Sequence, residues 1–294
     1  MTRPGWNASG VYRSLIRAGA ADDGQTRPAK RANPYRGPAR SALGRADVWL
    51  IGIDDTDNLE SRGTGFRARQ LAQQLQQRGL ARLRGVTRHQ LFVSPEIPYT
   101  SHNSSACLAM DFFDEDHAAV IQHCREYLLR ESAEGSDAGL CIGRQSAVTA
   151  AAIAFGQSAK VRVLTQAMAH AEALACGFYL EGLTGTHQGV IGAFSAVALH
   201  ATRSDGRFLW MRGVRDLQEG AYALGELRDS TDIEAFMTTG GDEVSAASAQ
   251  IMITEWARPV LAGGRSVLYL EEEHHEQTNF HGWRVADKAF IKQF

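Results

Sequence analysis

One stretch limits what this chain can become more than any other. The run VWLIGID at 48–54 is apolar and rich in β-branched residues, and DTDNLESRGTG follows it at once. An apolar run of this length without polar alternation reads as a strand buried on both faces. It ends on Asp54, Asp55 and Asp57, three carboxylates within four residues. Carboxylates so close repel one another, and a fold keeps them together when a cation or hydrogen-bond donors neutralise them. Loops after buried strands are where α/β folds gather their chemistry.

The other end of this loop has a complementary character. Gly63-Thr64-Gly65 precedes a helical pattern from Phe66, with Phe66, Leu71 and Leu75 near one face and Gly79 able to close it. Backbone amides at a helix start favour anions, and Arg67 and Arg69 add positive charge. One loop is thus expected to supply Mg²⁺ ligands from Asp54, Asp55 and Asp57, together with a phosphate cradle from Gly63 and Gly65. Mg²⁺ suits this pattern because it takes a few carboxylates along with phosphate oxygens and water. The chain has no G-x-x-x-x-G-K-[ST] loop. Asp55-Thr56-Asp57 has the D-x-D spacing of haloacid-dehalogenase loops, but Leu59 stands where that pattern takes Thr or Val.

Further along, VTRHQLFV (86–93) and SSACLAMDF (104–112) read as strands around a loop that holds Tyr99, His102 and Asn103. A helix follows in DEDHAAVIQHCREYLLRES, then Asp137 and a strand at 138–143, with helices over 145–155 and 164–176 and a strand at 178–182. GLTGTHQGVIGAFSAVALHA leads glycines directly into an apolar helix, and strands are expected at 207–211, 249–254 and 266–271. The alternation predicts a mixed α/β architecture. Gly185, Thr186, His187 and Gly189 form a second candidate site, since a glycine-rich helix entry suits an anion or a close-packed ligand and an imidazole can move protons near neutrality. Asp137 offers an acid for a cationic amine. Ordinary helix–strand packing and turn chemistry explain the same residues.

Charge is uneven. Residues 1–46 carry nine Lys/Arg against two Asp and hold four of the seven prolines, so a disordered basic tail is expected there. The remainder carries 22 basic against 31 acidic residues, which argues against a broad phosphate-gripping surface. The four cysteines make no C-x-x-C pair, as in a cytoplasmic protein with reduced thiols, and the longest apolar stretch is about half of a membrane span. His274, His275 and His281 with Glu271–Glu273 have the residue types to bind a transition metal, although a charged surface strand end is the simpler account of them.

Several blocks, in order, resemble one family. IGIDDTDNLESRGTG is similar to the opening of the archaeal agmatinylcytidine synthetases, which modify a cytidine in a minor isoleucine tRNA and begin with a strand, GIDDTDS and a downstream Thr. SPEIPYTSHNSSACLAM resembles that family's PNIPW-T-x-GNAAV segment, and GSDAGLCIG its NPGV-type segment. EGLTGTHQGVIGAFSAVAL resembles G-x-G-x-G-IIGALAAI, and IMITEWARPVLAGGR resembles ILI-x-PVL-x-GIRG. The blocks span about 48–265.

The resemblance implies a kinase-like ATP- and Mg²⁺-binding domain over 47–158 and a ferredoxin-like domain over 159–270 for an agmatine-like amine. The active site would lie between them, with 271–294 as an extension without a clear reading. It implies that Asp54, Asp55 and Asp57 hold metal and ATP phosphates, that Thr64 becomes phosphorylated, and that Tyr99, His102 and Asn103 line the nucleotide cleft. The expected reaction is phosphoryl transfer that activates a substrate for coupling to the amine. Two departures stand out. Gly63 and Gly65 replace the family's Cys and Thr, and the OB-fold and zinc ribbon that grip tRNA in the family have no counterpart before residue 294, which sets the tRNA acceptor apart from the rest of the expectation. Three other classes stay open: a Mg²⁺ phosphohydrolase with Asp55 as nucleophile, a non-catalytic nucleotide or amine sensor, and an RNA-binding module using the basic tail.

Overall fold

The strand expected at the acidic loop is β1 (Trp49–Asp54), buried over its first five residues. It belongs to a computed structural model that describes residues 47–97, 103–113, 117–275 and 280–294. The basic tail, Tyr99 and His102 lie outside the described residues.

After β1 come α1 (Thr64–Gln77), β2 (Ala81–Gln90), β3 (Ser104–Phe112), α2 (Ala118–Glu131) and β4 (Gly139–Arg144). Then follow α3 (Ala150–Ser158), α4 (Gln166–Cys176), β5 (Tyr179–Gly182), α5 (Gly189–Ala201), β6 (Arg207–Trp210), β7 (Gly220–Ala223), α6 (Leu224–Ser230) and β8 (Ala235–Thr238). The chain ends with β9 (Gln250–Ile253), β10 (Val260–Ala262), β11 (Arg265–His275), β12 (Phe280–Val285) and α7 (Lys288–Ile291). The fold is mixed α/β, as the alternation predicts.

One sheet runs through the molecule in the order β5-β4-β1-β3-β2-β6-β10-β11-β12-β9-β7, with β8 beside β11. Within it, β4-β1-β3-β2 pair antiparallel throughout. The chain order β1-α1-β2-β3-α2-β4 with this strand order is the split βαβ, or ferredoxin-like, arrangement. It occupies residues 49–144, not the 159–270 assigned to such a domain from the resemblance.

Two apolar layers sandwich that sheet. Ile51, Ile53, Leu108 and Met110 pack with Leu71, Leu75, Tyr127 and Leu128 of α1 and α2. Leu50, Cys107 and Cys141 pack on the other side with Ala152, Ala173, Phe194 and Val197 of α3, α4 and α5. Each fully buried large side chain contributes about 1.5–3 kcal/mol. α1 forms because Ala68, Leu71, Ala72 and Leu75 recur on one face, and it stops where Gly79 takes φ +68.

The expected boundary at 158/159 is not where the cores divide. β5 pairs with β4, and α5 covers β1, so residues 160–201 complete the first unit. The second core starts with β6 and gathers Leu224, Phe236, Ile251 and Leu268. The boundary at 270/271 also falls inside an element, since β11 continues to His275 and pairs with β12. Short strands with little alternation, such as β7, β8 and β10, hid this unit's shape in the sequence.

Candidate functional site

Alternation along β1 sends Leu50, Gly52 and Asp54 toward α5 and the isoleucines toward α1 and α2. A methyl group built on Gly52 would fall 2.0 Å from the Ala193 carbonyl oxygen, and one built on Gly192 would fall 1.8 Å from Asp54 Oδ2. α5 therefore rests its backbone on β1, and the Asp54 carboxyl lies against Gly192. Burial raises the Asp54 pKa from 3.8 to about 8, and the charges of Asp55 and Asp57 add to the rise.

Asp55 reverses the chain with φ +49, a left-handed conformation that costs a residue bearing a Cβ about 1–2 kcal/mol. Its pKa rises to about 6 through burial first, then through Asp137 and Asp57. Both carboxyls would gain from any cation that approached them.

Asp57 faces elsewhere. Its Oδ1 accepts from Thr64 N at 3.0 Å and from Thr64 Oγ1 at 2.7 Å, so it caps α1 from outside the helix. Thr64 Oγ1 in turn accepts from Thr56 N at 3.2 Å and lies 3.0 Å from Thr56 Oγ1. This knot ties the two ends of the loop together, and Thr64 is only 6% exposed. The single ligand set expected from Asp54, Asp55 and Asp57 is thus not formed: one acid points to α5, one sits on a reversed backbone, and one caps α1. Among the described residues, no group of three or more His, Cys, Asp or Glu is arranged to hold a metal ion.

The expected phosphate cradle is also divided. A methyl on Gly65 would fall 2.7 Å from Leu209 Cδ1, so this glycine lets α1 approach β6. Gly63 is extended at the helix start, and its carbonyl accepts from Phe66 N at 2.9 Å. Arg67 is taken up by backbone: Nε donates to Glu131 O at 2.5 Å and Nη1 to Arg62 O.

Arg69 instead joins a cluster that total charge concealed. Arg62 and Arg69 stand 4.6 and 5.8 Å from the Phe66 ring, and Arg215 and Arg258 stand 4.5 and 5.4 Å from the Trp256 ring. Burial, then Arg215 and Arg62, lower the Arg69 pKa to about 10. Burial and Arg207 do the same to Arg88. Among the described residues Arg62, Arg69 and Arg215 form no ion pair with an acid. The acidic net charge of the main body led to the opposite expectation, because a sum over residues does not register local clustering.

Asp137, Gly185, Thr186 and Gly189 do come together. Asp137 Oδ1 accepts from Thr186 N at 2.6 Å, Oδ2 from Thr186 Oγ1 at 2.5 Å, and its carbonyl from Gly189 N at 2.9 Å. Both carboxylate oxygens thus hold the turn, the simple turn role that the sequence also allows for Asp137. Gly185 takes φ +57 and His187 φ +66, and His187 is exposed at the rim. Asn103 closes the base of its loop, with Nδ2 donating to Phe92 O at 2.6 Å and its carbonyl accepting from Leu91 N at 2.9 Å.

Sequence reading missed two features on the α5 side. Ser105 of β3 pairs with His89 of β2, and among the described residues its buried hydroxyl has no hydrogen-bond partner. Beyond it, Lys160 pairs with Asp205 Oδ2, Asp205 Oδ1 lies 2.8 Å from His89 Nδ1, His89 Nε2 lies 2.9 Å from Thr87 Oγ1, and that oxygen lies 2.8 Å from His200 Nδ1. Burial, then His89 and Arg203, lower the His200 pKa to about 3. Burial opposes ionisation of Asp205, but His89 and Lys160 hold its pKa below the usual value. The relay joins residues up to 116 positions apart, so no local pattern announces it. A cavity of about 190 Å³ near His200 is lined by Arg84, Asp232 and Glu234, whose charges are met by Asp111, Arg212 and Ser266.

No protein-family model matches the chain, and no curated protein matches it. Among solved structures, it is similar to the complex of TiaS with an isoleucine tRNA and ATP, with 22% identity and a TM-score of 0.46 over 52% of this chain and 36% of that one. A tRNA fluorescent labeling enzyme aligns with 22% identity and a TM-score of 0.45 over 51% and 36%. Apo TiaS, an agmatidine synthetase for the same isoleucine tRNA, aligns with 21% identity and a TM-score of 0.44 over 51% and 35%. The aligned region spans about a third of the length of these structures. Similarity of this size leaves function to the residues themselves.

Proposed function

We propose that this chain is an ATP-using phosphoryl-transfer enzyme that activates a substrate for coupling to a small amine, with the Asp54–Thr64 loop and the Gly182–Gly189 turn as its reaction centre. Asp55 is the observation that carries this reading. A carboxylate on left-handed backbone, with its pKa raised by burial and by two neighbouring acids at the end of a buried strand, is strain and charge that a bound cation offsets. The order of the sequence blocks gives the reading its reaction class.

Asp54 and Asp55 offer two carboxylates, which fits Mg²⁺ brought in with phosphate oxygens and water better than an ion held in a protein cage. Bound there, Mg²⁺ would neutralise phosphate charge. Arg62 and Arg69, beside the start of α1, would take the remaining anionic oxygens. Thr64 would accept the phosphoryl group: its oxygen bonds to the γ-phosphorus as the β–γ bridge breaks, and its proton passes to Asp57, which it already contacts at 2.7 Å. With Thr64 only 6% exposed, this requires the loop to open. The arginines on Phe66 and Trp256 support RNA as the acceptor. Four free, buried cysteines support a reducing, cytoplasmic setting, and among the described residues no helix is long and apolar enough to cross a membrane.

ATP, agmatine and tRNA, the ligands of the solved neighbours, are the substrates to try first. The test incubates the chain with γ-labelled ATP, Mg²⁺ and agmatine or other polyamines, with and without RNA, and identifies products and labelled residues by mass. The reading expects ATP turnover and label on Thr64. Label on Asp55 would favour a phosphohydrolase instead, and a folded chain that neither binds nor turns over ATP would overturn both.

A further inference from the structure

We infer that His274 and His281, facing each other across the β11–β12 hairpin, clamp a divalent transition-metal ion, with Ni²⁺ and Cu²⁺ preferred over Zn²⁺. This site is separate from the acidic loop and does not rest on the reading given above. The two residues are direct partners in the strand register. Their side chains converge, with Nδ1 of one imidazole 2.9 Å from Nδ1 of the other and the rings 63° apart. Both are exposed, so an ion reaches them without opening the fold.

Three features support a metal rather than a simple contact between rings. His274 Nε2 lies 3.2 Å from Glu272 Oε1. A carboxylate accepts but does not donate, so it holds the proton on Nε2 and leaves the Nδ1 lone pair pointing at His281. This is the carboxylate–histidine arrangement that orients and strengthens metal-binding imidazoles. His281 needs only its other neutral tautomer to present a second lone pair.

The separation also selects the metal. Two nitrogens 2.9 Å apart, each bonded at ~2.05 Å, subtend about 90° at the ion. That is the angle between neighbouring ligands in square-planar and octahedral sites, which suit Cu²⁺ and Ni²⁺, whereas tetrahedral Zn²⁺ needs nitrogens ~3.3 Å apart. Finally, the clamp stands on paired strands, and Arg284 bridges Glu271 and Glu273, the residues on either side of Glu272, so the hairpin is braced. Two imidazoles leave the remaining coordination positions to water, which makes this an open site.

The full chain would be titrated with Ni²⁺, Cu²⁺ or Zn²⁺ alone by calorimetry, with quenching of tryptophan emission as a second readout, because Trp283 lies two residues from His281. One ion per chain is expected, with Ni²⁺ and Cu²⁺ at least ~tenfold tighter than Zn²⁺. His274→Ala and His281→Ala should each weaken binding by more than ~tenfold, and Glu272→Gln by up to ~tenfold, with circular dichroism unchanged. Absence of binding, equal affinity in the double His variant, or Zn²⁺ binding more tightly than Ni²⁺ would overturn the assignment.

Discussion

Two groups of ionisable side chains occupy the same sheet and have opposite characters. At the tip of β1, Asp54, Asp55 and Asp57 bring like charges together, and burial raises the first two pKa values toward neutrality or beyond. Two strands away, Lys160, Asp205, His89, Thr87 and His200 are linked at every step. Burial and like charge dominate at Asp54 and Asp55, while the second group meets its own charge. Groups perturbed in that way are candidates for chemistry, and a closed relay is most simply a strut.

The largest effect should come from breaking the strut. Asp205→Ala leaves Lys160 and His89 without their shared acceptor and should destabilise the fold by about 3–5 kcal/mol in urea denaturation. ATP turnover measured well below the new midpoint should change little.

Next comes Asp55→Asn, which should lower turnover by on the order of 10²–10³ in a phosphate-release assay while the melting temperature holds or rises, because a repulsion is removed. A matching loss of stability would make the acidic loop a strut as well.

The two regions should also respond to pH in opposite directions. Asp54 and Asp55 have folded pKa values above the ordinary 3.8, so their contribution to stability is present at low pH and is lost as pH rises through about 6 and then about 8. His200 is held down to about 3 against an ordinary 6.5, so its contribution is present above 6.5 and is lost as pH falls from there toward 3. Denaturation series from pH 4 to 9 should therefore show stability falling up to about pH 8, because two carboxyls outweigh one imidazole below pH 6 and Asp54 acts alone above 6.5. Asp54→Asn should flatten the fall between pH 6.5 and 8, and His200→Gln should steepen it below pH 6.5.

The smallest change should be Thr64→Ala, which removes the hydroxyl between Thr56 and Asp57 and should cost about 1–2 kcal/mol in thermal unfolding. Thr64→Ser should restore most of it. If alanine cost nothing, the knot would not be holding the loop.

Much of this contrast was legible before folding was considered. β1, the three acids and a helix after Gly63 follow from apolar runs, strand propensity and glycine placement over a few residues, although the helix opens at Thr64 and not at Phe66. What each acid does was not legible, because direction depends on whether a side chain falls on the α5 or the α1 face and on a backbone reversal at Asp55. A turn role for Asp137 was legible, but not its partner Thr186, which is 49 residues away. The arginine face escaped notice for a similar reason: Phe66 and Trp256 become neighbours of one surface only when β6 joins β2.

The glycines where α5 meets β1 and β4 have a mechanical consequence. Gly52 against Ala193 and Gly139 against Gly189 let main chain seat on main chain, and Gly192 leaves room for the Asp54 carboxyl, so the depth of that carboxyl is set by backbone that has no rotamers. Swapping core leucines or warming the interior should blur the surrounding layers long before it displaces that carboxyl, much as a bearing keeps its alignment while the housing flexes.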